Sequence, residues 1–117
     1  MPAGGIGSGV NEQFVIAFST FPDKEIAQKI ARDLVEHAIV ACANLLPSVE
    51  SIYFWNEKVE TSAEVFAIFK MTAARYSEFE SQLRKSHPYD VPEIIRLNIA
   101  EGSADYLRWI GESCGRN

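Results

Sequence analysis

The sequence contains no run of basic residues longer than two, no apolar stretch near the roughly 18–20 residues that span a bilayer, and no cysteine pair at CxxC spacing. Each absence excludes a class of function. Phosphate backbones are gripped by clustered cations, and here 11 lysines and arginines stand against 16 acidic residues for a net charge of −5, so no nucleic-acid partner is expected. No membrane-spanning segment is expected either. Cys42 and Cys114 are the only two cysteines, too far apart in sequence for a zinc knuckle or a redox dithiol, and read as one buried small side chain and one frayed-end thiol. Neither GxxxxGK[ST] nor GxGxxG follows a predicted strand, which leaves nucleotide phosphates without a cradle. The first cation is Lys24, so the basic region of a secretory signal is missing and a cytoplasmic setting is expected.

What is present is 117 residues with 47% apolar content, enough for one domain whose core needs neither disulfide nor metal. Residues 1–12, with four of the seven glycines and no periodicity, read as a flexible leader, and residues 13–117 as a single domain. Gln13 to Phe21 is β-branched and aromatic on both faces, the pattern of a central strand. A helix begins near Pro22, with Thr20 as its expected cap, and carries Ile26, Ala27, Ile30, Ala31, Leu34, Val35 and Ala38 as one stripe. His37 at its end suits the negative helix terminus.

Ile39 to Trp55 reads as a strand bent at Pro47 and Ser48, and Asn56 to Lys58 as a turn. Val59 to Met71 then alternates, with Val65, Ala67, Phe69 and Met71 on one face and Glu64, Phe66, Ile68 and Lys70 on the other. Two strands this long exceed the usual five or six residues, so the hairpin overhangs its own core and calls for a second chain. Ala73 to Lys85 is a second amphipathic helix, Ile94 to Ala100 a further strand, and Gly102 and Ser103 cap a short helix bearing Tyr106, Leu107, Trp109 and Ile110. The order β-α-β-β-α-β plus a C-terminal helix is the α+β, ferredoxin-like split βαβ.

The segments ACANLLPSVESIYFW (Ala41 to Trp55), HPYDVPEI (His87 to Ile94) and YLRWI (Tyr106 to Ile110), with Glu64 and Lys70 between them, resemble the CutA family of divalent-cation tolerance proteins. The likeness runs from about Phe14 to Ile110. It implies a PII-like homotrimer whose long hairpins join sheets between subunits, and a non-enzymatic protein that binds a divalent metal ion such as copper(II). Two metal-site positions of the bacterial branch, a cysteine and the first of two histidines, are Ser19 and Ser86 here, leaving His87. A site at His87 would be completed by Asp90 or by residues of a second subunit. His87 also reads as a histidine fixing the turn into Pro88.

In a trimer, Tyr53, Trp55, Glu64, Lys70, Tyr89 and Trp109 would line a cleft between subunits, aromatic walls with a few charges. The alternative function is therefore a sensor of a small anionic metabolite with Lys70 as counter-ion, and a third reading is a structural scaffold in which the aromatics join subunits. Glu64 and Lys70 lie about 20 Å apart along one strand, so neither is the other's partner. The family's hairpin turn often has glycine at the position of Glu57; a different turn type or a mobile tip is expected.

Overall fold

The computed structural model describes residues 13–116, so the leader expected over residues 1–12 lies outside the described residues. Strand β1 (Phe14–Phe21) leads to helix α1 (Lys24–Glu36), and β2 (Cys42–Trp55) and β3 (Lys58–Thr72) form the hairpin. A 3-10 turn (Ala73–Arg75) opens onto α2 (Tyr76–Ser86), followed by β4 (Ile95–Asn98) and α3 (Ala104–Cys114). The strands form one antiparallel sheet in the order β2-β3-β1-β4, the ferredoxin-like arrangement, with β1 central as its two apolar faces require.

Alternation assigns the two faces. Val15, Ala17 and Phe21 of β1 and Val65, Ala67, Phe69 and Met71 of β3 are buried beneath Ala27, Ile30, Ala31 and Leu34 of α1 and Phe79 and Leu83 of α2. Ile110 and Cys114 of α3 join the same core, so Cys114 is buried rather than at a frayed end, while Cys42 is half-buried.

Several boundaries differ from the sequence reading, each for a local reason. The cap of α1 is Asp23, whose Oδ1 accepts the Ile26 N–H at 2.9 Å. Thr20 is unable to take that role because its backbone still pairs with Phe66 inside β1. Residues 39–41 enter the core before β2 begins, since α1 ends in a Schellman turn. Ala38 takes φ 59°, the Ile39 N–H donates to the Leu34 carbonyl at 3.0 Å, and the Ala38 N–H donates to that of Val35 at 3.0 Å. His37 closes this end with Nδ1 2.8 Å from the Asp33 carbonyl. Residues 73–75 wind as 3-10 rather than as the start of α2, and β4 is shorter than Ile94 to Ala100.

The hairpin is bent where expected: pairing shifts register between Leu46 and Val49, with Ser48 at φ 123° and Pro47 on the sheet's outer edge, where no ladder N–H is needed. Its turn has Asn56 at φ 51° and Glu57 at φ 63°, both left-handed, which is the two-residue turn whose twist matches the strands. Glutamate there costs on the order of 1 kcal/mol relative to glycine. Glu57→Gly is therefore expected to raise unfolding free energy by a few tenths to ~1 kcal/mol, part of the gain offset by the freer unfolded chain; thermal melts at matched concentration check it.

The hairpin reaches well past the core. The described chain measures 53 × 25 × 22 Å with a radius of gyration of 15.6 Å, against roughly 13 Å for a compact domain of this length. In the overhang Ile52, Phe54 and Val59 are each at least 66% exposed. No helix is long and apolar enough to cross a membrane among the described residues.

Candidate functional site

Residues paired across neighbouring strands share a face, which places the candidate residues without further argument. Trp55 opposes Lys58, Tyr53 opposes Glu60, and Val49 opposes Glu64, so Tyr53, Trp55, Glu64 and Lys70 all lie on the face turned away from α1 and α2. Successive rows across this face read Leu46, Phe66 and Thr20; then Asn44, Ile68, Phe18 and Ile95; then Cys42, Lys70, Ile16 and Leu97. The face is apolar, with Phe18 and Phe66 rings 5.3 Å apart, and is bounded by a polar cluster at either end.

The first cluster is built around His87. Helix α2 ends at Ser86, and His87 turns its ring inward, 7% exposed and stacked on Phe21 at 4.7 Å. Its Nε2 lies 2.8 Å from the Thr20 carbonyl, and the Tyr89 N–H donates to Nδ1 at 3.1 Å. A carbonyl only accepts and an amide N–H only donates, so the ring is neutral with its proton on Nε2. The bond places Tyr89 so that its hydroxyl donates to Glu64 Oε2 at 2.6 Å. Burial, followed by the hydrogen bond and charge of Glu64, pushes the Tyr89 phenol far above its ordinary range. Nearby, Tyr53 and Ser62 hydroxyls lie 3.3 Å apart.

Burial pulls the His87 imidazole below its usual range against the raising effects of the Thr20 bond and Glu64. Burial and then the Glu64 charge push the Glu93 carboxyl up. The two act on stability with opposite signs. Because the folded His87 resists protonation, its contribution is complete above the unfolded value of 6.5 and is lost as pH falls below it. The folded Glu93 gains a proton more readily, so its contribution is complete below the unfolded value of 4.5 and is lost as pH rises through the higher folded value. Unfolding free energy is expected to fall from pH 7.5 to 5.5 in the native protein and to lose that His87-dependent slope in His87→Gln, measured by urea titration across the range.

A copper(II) ion wants two or more imidazole or thiolate donors converging on it. Both His87 nitrogens are already engaged, Ser86 Oγ donates to the Gln82 carbonyl at 2.8 Å, and the Ser19 hydroxyl is buried in the core without a hydrogen-bond partner. Among the described residues no three histidine, cysteine, aspartate or glutamate side chains are grouped to hold a metal, and Asp90 lies at the exposed surface. The described side chains of one chain therefore do not fit a copper centre.

The second cluster forms at the opposite end of the face. Lys70 stands directly across from Cys42, and its Nζ lies 5.8 Å from the centre of the Tyr106 ring. Tyr106 and Trp109, one helical turn apart on α3, stack at 5.5 Å. Ser103 sets the start of this helix by accepting the Tyr106 N–H on Oγ at 3.4 Å. The sequence-derived set is thus divided: Glu64 meets Tyr89, Lys70 meets Tyr106 beside Trp109, and Trp55 stands near the hairpin tip. Sequence reasoning did not find the cation beside Cys42, nor the links from His87 to Thr20 and Tyr89. The HPY segment was the one signal for the latter.

A family model described as CutA1 divalent ion tolerance protein matches residues 15–113. The divalent-cation tolerance protein CutA of Thermus thermophilus is 38% identical over 100 residues, covering 86% of this chain and 97% of that one. The protein of the same description from Pyrococcus horikoshii is 39% identical over 98 residues, covering 84% and 95%. Among solved structures, that of the Thermus thermophilus divalent cation tolerance protein superposes with a TM-score of 0.84 at 37% identity, covering 87% of this chain and 99% of that one. With its three sequence motifs, its strand order and nearly its whole length in agreement, the chain belongs to the CutA1 divalent ion tolerance protein family.

Proposed function

We propose that this chain acts in divalent-cation tolerance as a non-catalytic homotrimeric binding protein, assembled through the face of its sheet turned away from α1 and α2. The observation that carries the reading is that face. Leu46, Ile95 and Leu97 are 43%, 51% and 54% exposed beside the half-buried Ile16, Phe18, Phe66 and Ile68, an apolar surface of the kind that marks an interaction site. The overhanging hairpin supports the same reading, since Ile52, Phe54 and Val59 find no core among the described residues. Both outer strands, β2 and β4, also have an edge without a partner in the four-stranded sheet, so hairpins crossing between copies would satisfy them. Resemblance to the CutA family supports three as the number of copies.

On this reading the connection to divalent cations does not run through His87 and Asp90 of a single chain. The test is the mass in solution: light scattering at micromolar concentration is expected to give three times the 13.1 kDa chain, and a monomer would overturn the proposal.

A further inference from the structure

Burying a lysine cation is costly unless an opposite charge comes with it. On the face turned away from α1 and α2, Lys58 lies 3.8 Å from Glu60, and Glu64 accepts the hydrogen bond of the neutral Tyr89 hydroxyl. Lys70 differs. It enters no ion pair among the described residues and has only the Tyr106 ring before it. In line with it across the sheet are Cys42, Ile16 and Leu97, none of which carries a compensating charge.

Beside this cation the stacked rings of Tyr106 and Trp109, tilted by 29°, remain 41% and 44% exposed. Neither the phenol hydroxyl nor the indole N–H has a hydrogen-bond partner within the described chain. The arrangement offers one positive charge, two neutral donors and a flat aromatic shelf. A ligand that answers all of these carries a carboxylate for Nζ and a ring that extends the stack.

We propose that Lys70, Tyr106 and Trp109 form a binding site for a small aromatic carboxylate. The inference deepens the assembly reading, because covering the apolar face is what makes the charge of Lys70 need an anion. A free small molecule is favoured over a carboxylate of a second copy because a partner's glutamate would bring the charge without the ring that the stacked Tyr106 and Trp109 accept. Lys70 supplies the charge, and Tyr106 with Trp109 selects for the ring.

Benzoate is the probe, titrated into the full chain by calorimetry and by NMR of the indole N–H signals, with acetate and benzamide as ligands lacking the ring or the charge. Saturable benzoate binding at about millimolar concentration is expected, the range a nine-heavy-atom ligand reaches. Acetate and benzamide are each expected to bind at least tenfold more weakly. Lys70→Met and Trp109→Leu are expected to weaken benzoate at least tenfold while leaving the trimer mass unchanged. Unsaturable titration of an intact trimer overturns the inference, as does undiminished binding in Lys70→Met. Dissociation of the trimer by Lys70→Met also overturns it, since the counter-charge is then a partner's. A monomeric native chain marks failure of the assembly reading instead.

Discussion

His87→Ala is expected to lower unfolding free energy by about 3–4 kcal/mol while leaving copper(II) heats unchanged. The stability loss has two sources. Removing the ring opens a cavity against Phe21, and it strands the Thr20 carbonyl and the Tyr89 N–H, each of which costs about 1–3 kcal/mol when buried without a partner. Losing the Tyr89 anchor also frees its hydroxyl from Glu64, so the segment between α2 and β4 is expected to loosen with it. Urea unfolding at matched protein concentration reads the first effect, and calorimetry on the native chain and on His87→Gln reads the second. A loss below 1 kcal/mol would mean that His87 is not a structural linchpin. Micromolar copper binding abolished in His87→Gln would show that the ring serves as a ligand after all.

If the chain assembles as proposed, Ile68→Asp is expected to leave it a monomer. Ile68 sits in the middle row of the face turned away from α1 and α2, between Asn44 and Phe18, so its replacement leaves the core beneath those helices untouched. A carboxylate closed off there without a partner costs about 3–5 kcal/mol per copy, and a trimer meets that cost three times. Light scattering should give the 13.1 kDa mass while circular dichroism retains the native secondary structure. An unchanged trimer would place the subunit interface elsewhere. The contrast with His87→Ala is diagnostic, because one substitution acts on the fold within a chain and the other on contacts between chains.

Much of this architecture could be read from side-chain pattern alone. Strict alternation from Val59 to Met71 fixed which residues face the core, and the two apolar faces of β1 placed it inside the sheet. What escaped was set by competition between neighbours. Thr20 and Asp23 are both good caps, and the choice fell to Asp23 only because β1 keeps pairing through Phe21. The left-handed Ala38 has no signature in an alanine, so the Schellman turn and the late start of β2 were invisible. At the site, residue types were legible and contacts were not. Glu64 and Tyr89 are 25 positions apart, and only the descent of His87 onto Phe21 brings them within hydrogen-bond reach. Lys70 finds Cys42 through the register beyond the bulge, and Tyr106 through the packing of α3.

The two-residue turn and the unequal support along the hairpin have a consequence for how its amides exchange with solvent. From Cys42 to Leu46, β2 pairs with a stretch of β3 that is itself held by β1, whereas from Ser51 to Trp55 it pairs with residues of β3 that have no third strand beside them. Opening the outer ladder therefore exposes little new apolar surface, while opening the inner ladder requires disruption of the core. In a lone chain, amide protons near the tip would exchange through local fraying and those near Phe69 only through global unfolding. Neighbouring copies laid along the tip would erase that gradient, so the exchange profile of one hairpin would record the moment at which the chains come together.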